Sequence, residues 1–345
     1  MEAPHKKSCG KSANAIMLFF LSVVALLLVY HVTVFSRQQT TFWRYSRAEF
    51  GTIGGKVVVC MADQSIIVSQ DLCGAGAVSL GAALPILAAL GLRPRVLPTA
   101  LLSTHTGIPD NTYLDLSGQI APILRHWATV ALDIGGLYLG YLGPQALAVW
   151  REQLPRLAAL PLRVVDPAMA DGGKLYRGLD ADYVTGMRNL LAHATLVTPN
   201  VTEAQLLLGR KPTTKPVTAA AAQELAAAFF AQFQIPVVLT GIALTSGRIG
   251  VASAAQQTVQ MQTTEALPGH YFGTGDMFAS VLAGRLLQGR PLQTAIASAM
   301  DFIAQAIAVT NQAAEADNPL QDVNFGPVLP TLVASSTRAE SEEQP

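Results

Sequence analysis

Short apolar runs recur along this chain between stretches of helical character: Ser65–Val68, Val96–Pro98, Ile134–Leu139, Arg163–Asp166, Thr195–Thr198 and Pro236–Thr240. A run without polar alternation reads as a strand buried on both faces, and such strands alternate with helices in parallel sheets. The segments Val78–Leu90, Leu116–Trp127, Asn200–Leu208 and Ala219–Phe233 supply the helices, with Gly91 as a stop signal after the first. Ile249–Ala252 and Thr258–Met261 read as later, antiparallel strands, and further helices start at Thr274 and Leu292. The fold class is therefore α/β: one doubly wound, mostly parallel central sheet with helices on both faces. Sheets of this kind bind ligands beyond the carboxyl ends of their strands. The loops near Ser69, His105, Tyr141, Asp166, Asn200, Thr240 and Gly273 are expected to meet along that edge.

The last of these loops carries the strongest signal. In His270–Gly289, HYFGTGDMFASVLAGRLLQG, a glycine-rich turn runs into an amphipathic helix. Gly273 and Gly275 let the backbone turn sharply and let a ligand approach the amides. Met277, Phe278, Val281, Leu282, Leu286 and Leu287 recur at helical spacing, so the free N–H groups of the helix start point back at the glycines and suit a phosphate. Asp276 lies in the first turn, where a carboxylate can take a proton from a hydroxyl attacking that phosphate. The ordinary alternative is helix capping.

The other loops are each ambiguous alone. Thr104, His105 and Thr106 offer adjacent hydrogen-bonding side chains in the polar loop LLSTHTG, Leu101–Gly107. The glycines of Gly140-Tyr141-Leu142-Gly143-Pro144 would hold Tyr141 over the sheet edge, or Tyr141 is a core ring. VVDPAMADGGKLY places Asp166 and Asp171 beside Gly172, Gly173 and Lys174, which suits Mg²⁺ and phosphate as well as a simple turn. Asn200-Val201-Thr202-Glu203 is a capping-box pattern. Gly74-Ala75-Gly76-Ala77-Val78-Ser79 lacks the third glycine of a dinucleotide fingerprint.

Lysine plus arginine equals aspartate plus glutamate at 23 each, so no basic surplus favours nucleic acid and a small-molecule ligand is expected. Cys9, Cys60 and Cys73 are odd in number and lack C-x-x-C spacing, which indicates neither a disulfide framework nor a zinc site. Residues 15–35 carry no formal charge and are long enough to cross a bilayer as a helix, and no small-x-small cleavage site follows. They read as a transmembrane signal anchor. Lys6, Lys7 and Lys11 on one side and Arg37, Arg44 and Arg47 on the other leave its orientation open. The alternative is that Met61 is the initiator. The division expected is an extension over 1–60, a single domain over 61–330 and a disordered tail over 331–345.

VVDPAMADGGKLY, LVTPNVTEA and FGTGDMFAS, in that order and spacing, resemble the pyridoxal kinase branch of the ribokinase-like superfamily over about 61–310. LLSTHTG and GLYLGYLG favour vitamin B6 kinases over hydroxymethylpyrimidine kinases, whose first loop usually carries D-P-S-G-G-A-G. Here that loop is Asp71-Leu72-Cys73-Gly74-Ala75-Gly76. The resemblance implies a ribokinase-like fold and phosphorylation of the 5′-hydroxymethyl group of pyridoxal, pyridoxamine or pyridoxine by ATP. Asp276 would be the base, and the amides of Gly273, Thr274 and Gly275 would stabilise the transferring phosphoryl group. Asp166, Asp171 and Glu203 would hold Mg²⁺, largely through water, and Asn200, Glu203, Thr240, Gly241 and Asp171 would line the ATP side. Ser69, Thr106 and Tyr141 match substrate-pocket positions, with His105 beside them. A monovalent cation, a homodimer and a cytoplasmic catalytic domain, membrane-anchored if the 15–35 span is real, are further implications. Two departures stand out: Ala170 replaces a glycine usual in the family, and the family has no transmembrane segment. The competing functions are hydroxymethylpyrimidine kinase and a membrane-tethered, non-catalytic binding module; the intact Asp276 and Glu203 speak against the second.

The first strand-helix-strand unit is complete from Ser65, so residues 61–345 are expected to fold and turn over without the first 60. Solubility and turnover of the truncated and full chains check this. An unfolded truncated chain beside an active full one would put 1–60 inside the domain.

Overall fold

A computed structural model of the chain describes residues 49–53, 56–60, 65–256, 258–313 and 319–333. Eight strands form the main sheet, in the spatial order Thr258–Glu265, Arg248–Ala255, Val237–Ala243, Leu196–Val197, Leu162–Val165, Gly136–Leu139, Ser65–Ser69 and Arg93–Val96. The last six run parallel, and the first two are antiparallel additions at one edge. This is the doubly wound, mostly parallel architecture expected from the alternation of runs.

Register decides which side chains reach which face. Val68, Tyr138, Val164 and Leu196 lie side by side across four strands, all buried. They join the core on which the helices Leu80–Ala89, Thr274–Leu287 and Leu292–Gln312 pack. The next residues, Ser69, Leu139, Val165 and Val197, form a neighbouring row that points to the opposite face. There the buried Trp150, on the helix Gly143–Gln153, donates its indole N–H to the Ser69 hydroxyl at 3.0 Å. The helix Leu292–Gln312 is long and apolar enough to cross a bilayer by length and composition, but Ala295, Ile296, Ala299, Phe302 and Ala306 are buried in this core.

The ladder continues beyond the strand ends: Gly140, Asp166, Thr198 and Thr240 donate to Ser69, Leu139, Val165 and Pro199 respectively. These residues are thereby held in a line along the carboxyl edge. At Thr240–Gly241 the pairing with the antiparallel neighbour shifts register, and Gly241 has φ +62°. A bulge of this kind turns backbone out of the ladder; the strand resumes and runs to Ala243, beyond its expected end.

Several boundaries differ from the sequence reading for identifiable reasons. The second strand is Arg93–Val96, earlier than Val96–Pro98, because Gly91 at φ +77° closes the helix at once. Pro94 is tolerated there because the strand is at the sheet edge. Part of the expected polar loop Leu101–Gly107 is instead strand: Ala100–Leu102 sits between Leu72–Cys73 and Tyr113–Asp115 in a second, three-stranded sheet. The register sets Leu72, Leu101 and Leu114 side by side on its solvent face. The helix expected over Leu116–Trp127 is a 3₁₀ turn, Ser117–Gln119, followed by Ile120–Val130. Within the expected tail, Leu332 is buried and its carbonyl accepts from Arg285 at 3.1 Å; residues 334–345 lie outside the described residues. Of the N-terminal extension the structure describes an antiparallel pair, Glu49–Ile53 with Lys56–Cys60. The span expected over 15–35 lies outside the described residues.

Phe302 is 1% exposed, and its ring lies 6.3 Å from that of Phe325, joining the Leu292–Gln312 helix to the C-terminal segment. Phe302→Ala is expected to cost about 3–5 kcal/mol. A lower urea midpoint with an unchanged slope checks this.

Candidate active site

The helix Thr274–Leu287 begins after Gly273, whose φ of +82° turns the chain through the left-handed region. Its first described main-chain bond runs from Met277 N–H to Gly273 C=O, which leaves the N–H groups of Thr274, Gly275 and Asp276 without a helical acceptor. Around Gly275 there is open space. Gly273 is crowded instead: a Cβ there would stand 2.4 Å from the Ala77 carbonyl oxygen. Two loops that are far apart in sequence can meet here only because this residue has no side chain.

The contact delivers a hydrogen bond. Ser79 N–H donates to Asp276 Oδ2 at 2.8 Å. Ser79 holds φ 48° and ψ −128°, a conformation that L residues avoid and that costs roughly 1–3 kcal/mol unless its surroundings impose it. Leu80 N–H, donating to the Asp71 carbonyl at 3.1 Å, is one such restraint. Asp276 opens on to the cleft, yet dense protein around it raises its carboxyl group from the ordinary 3.8 to about 7. Burial is the main cause; the Ser79 amide opposes it, and the nearby Asp71 adds to it. Asp71 itself is 3% exposed, and burial raises it against the pull of the Ser79 and Cys73 side chains.

Asp276 lines a cleft of about 440 Å³. Asp166, Asp171, Asn200, Glu203, Thr240, Gly241, Gly273, Thr274 and Gly275 line it too, so the structure brings together the expected catalytic, nucleotide and metal residues. Ser69, His105, Thr106 and Tyr141 do not line it. Ser69 is fully buried with its hydroxyl held by Trp150. Thr106 and Tyr141 are half-buried, and the Tyr141 carbonyl accepts from the Thr99 hydroxyl at 3.2 Å. His105 accepts the Gly107 N–H at Nδ1 (3.2 Å), which leaves Nε2 to donate to the Leu320 carbonyl (3.1 Å). Its ring stacks 4.2 Å from Phe272, a residue of the cleft wall.

The acidic side of the cleft is built by one capping box. The Asn200 side chain accepts from Glu203 N–H at 3.0 Å and donates to the Ala170 carbonyl at 2.7 Å. Glu203 Oε2 accepts from Asn200 N–H, and Oε1 from Met169 N–H and Ala170 N–H. Burial raises the Glu203 carboxyl to about 8 despite these donors, with Asp171 adding to the rise. Asp166, 7% exposed, is raised well above its usual range by burial first and then by Glu203 and Asp276. Thr198 Oγ1 is buried on the cleft wall with no hydrogen-bond partner among the described residues.

An all-oxygen donor set of mutually repelling carboxylates suits a hard divalent cation, whose charge would relieve the repulsion. Among the described residues no three such groups stand close enough to cage a metal. Sequence reasoning missed Asp71, Ser79 and Thr198. Ser79 acts through its backbone N–H, which no side-chain pattern announces, and Thr198 sits in an otherwise apolar run.

Comparison with known proteins matches this frame. Residues 119–321 match the phosphomethylpyrimidine kinase family. A pyridoxine/pyridoxal/pyridoxamine kinase of Bordetella bronchiseptica is 31% identical over 250 residues, covering 69% of this chain and 86% of its own. Among solved structures, pyridoxal kinase from Lactobacillus plantarum superposes with a TM-score of 0.72 at 34% identity, covering 80% of this chain and 98% of that one. A putative phosphomethylpyrimidine kinase from Bacteroides thetaiotaomicron, in a crystal form with pyridoxal, gives 0.70 at 31% identity, covering 78% and 95%. With its glycine turn, carboxylate and capping box on one sheet edge, the chain belongs to the phosphomethylpyrimidine kinase family of ribokinase-like enzymes, on its vitamin B6 kinase branch.

Proposed function

We propose that the chain transfers the γ-phosphoryl group of ATP to the 5′-hydroxymethyl group of a B6 vitamer, releasing ADP and the vitamer 5′-phosphate, with Asp276 as the base. The observation that carries this reading is the placement of Asp276 beside the unpaired N–H groups of Thr274 and Gly275, with a carboxyl group poised at about 7. A base near the working pH combines a large ionised fraction with a useful proton affinity. The vitamer hydroxyl gives its proton to Asp276 as its oxygen attacks the γ-phosphorus. The N–H groups of the helix start and the helix dipole meet the negative charge on the transferring group.

Asn200, Thr240 and Gly241, with the orphaned Thr198 hydroxyl, serve the nucleotide phosphates. Asp166, Asp171 and Glu203 would hold Mg²⁺, in large part through water because Glu203 already accepts three backbone N–H groups. Bound there, the ion would neutralise phosphate charge. The loops of Ser69, His105, Thr106 and Tyr141 serve the vitamer. The family match by itself also fits a hydroxymethylpyrimidine kinase, whereas the B. bronchiseptica relative, matched over a larger share of this chain, carries a B6 kinase name. Parallel turnover assays with pyridoxal, pyridoxamine, pyridoxine and hydroxymethylpyrimidine decide between the two.

Asp276→Asn is expected to lower kcat by ~10²–10⁴-fold while ATP affinity persists. A variant within a few-fold of the parent would make Asp276 a cap alone. The pH dependence follows from the sign of the shift. The base is ionised above its pKa, so kcat/KM of the parent is expected to climb with pH through about 7, and this limb should vanish in the Asn variant. Stability runs the other way: the folded chain keeps a proton that the unfolded chain gives up from about pH 4, so Asp276 makes stability fall as pH rises from there through 7. Melting temperature at pH 8 is accordingly expected to be as high in Asp276→Asn as in the parent, or higher. Thr106→Ala is expected to raise the vitamer KM more than the ATP KM; equal effects would remove that loop from the vitamer side.

A further inference from the structure

A short C-terminal segment reaches three loops of the site. The Leu320 carbonyl accepts from His105 Nε2 at 3.1 Å, the Gln321 carbonyl from Phe272 N–H at 2.8 Å, and Asp322 Oδ2 from Ala77 N–H at 2.6 Å. The segment is anchored just beyond: Val323 and Phe325 are buried, and Asn324 N–H donates to Thr310 Oγ1 at 3.0 Å. Of these contacts the one made by Asp322 bears most directly on the chemistry. Ala77 presents its carbonyl to the bare face of Gly273 and its N–H to Asp322. Two residues later, Ser79, in a conformation that only its surroundings can impose, gives its N–H to Asp276. The loop is thus restrained at Asp322 on one side of the strained residue and at the Asp71 carbonyl on the other.

We propose that Asp322 is a positioning residue for phosphoryl transfer: by holding the Ala77 N–H it keeps the Ser79 N–H on Asp276, and so fixes the direction of that carboxylate. The inference rests on the reading of Asp276 as the base. Without Asp322 the loop can relax toward an unstrained conformation, the Ser79 donor withdraws, and the carboxylate swings free. Phosphoryl transfer depends heavily on such alignment. No contact with ATP is lost, so the effect falls on kcat.

The test uses the full chain with Asp322→Ala, Asp322→Asn and Asp322→Glu, and Asp322→Ala combined with Asp276→Asn. Loss of a positioning hydrogen bond to a charged group predicts a kcat lower by ~10–100-fold in Asp322→Ala, with the ATP KM changed by less than about 3-fold. Asn keeps an acceptor at the same reach and is expected to restore most of the rate. Glu keeps the charge but displaces the acceptor by a methylene, so it is expected to remain slow at an unchanged melting temperature; it decides the matter if Asp322→Ala does not fold. Because Asp322 acts through Asp276, the double variant is expected to be no slower than Asp276→Asn alone. Asp322→Ala or, if that does not fold, Asp322→Glu at the parental rate, no rescue by Asn, or an additive double variant would each overturn the proposal. Failure of the base reading shows separately, as undiminished turnover of Asp276→Asn, and takes the positioning role with it.

Discussion

The bare α-carbon of Gly273 is the constraint on which this site depends. A side chain there would collide with the Ala77 carbonyl, and without that close approach the Ser79 N–H could not reach Asp276. The two partners arise on separate strand-helix connections, one following the strand Ser65–Ser69 and the other opening the helix Thr274–Leu287. What joins them is backbone meeting backbone. Such contact is more exacting than side-chain packing, because neither partner can rotate away, and it holds the carboxylate against the helix start.

The sheet supplies the rest by register. Since Val68, Tyr138, Val164 and Leu196 are aligned, the residues one or two steps later emerge together, and Asp166 and Thr198 reach the cleft from neighbouring strands. The result is a group of acids, Asp166, Glu203 and Asp276, in which burial raises each proton affinity and Glu203 and Asp276 raise that of Asp166 further. Such a cluster is unfavourable for the isolated fold. Its cost is tolerable because the apolar core beneath it is large, and because a cation entering the cleft would relieve the repulsion.

The centre of the main sheet was legible because strands such as Ser65–Ser69 and Gly136–Leu139 are buried on both faces, so their apolar runs contain little to confuse with anything else. The small sheet was not: Ala100–Leu102 precedes polar residues and exposes Leu101, so its run looks like the start of a loop. Glycine signals read well where they imposed a turn, as at Gly91 and Gly273. The lining of the cleft was legible where polar side chains supply it, as with Asp276, Asp166 and the Asn200–Glu203 box. The rest was hidden where a backbone N–H does the work, as at Ser79, or where a residue reaches the site from the far end of the chain, as Asp322 does across 245 positions to Ala77. At Ser69 the alternation of faces turns the hydroxyl toward Trp150, a contact that a place at a strand end does not announce.

Glu203 shows why a capping motif need not be read as an alternative to function. Each of its oxygens accepts backbone N–H groups, which ties the start of its own helix to the Met169–Ala170 loop. The same bonds hold an acid, raised by burial to about 8, against the cleft. A carboxylate with fewer donors could swing toward an ion and bind it directly, at the expense of the loop's position. One saturated with donors is held in place. The cap is then the reason that this carboxyl group stays at the cleft wall.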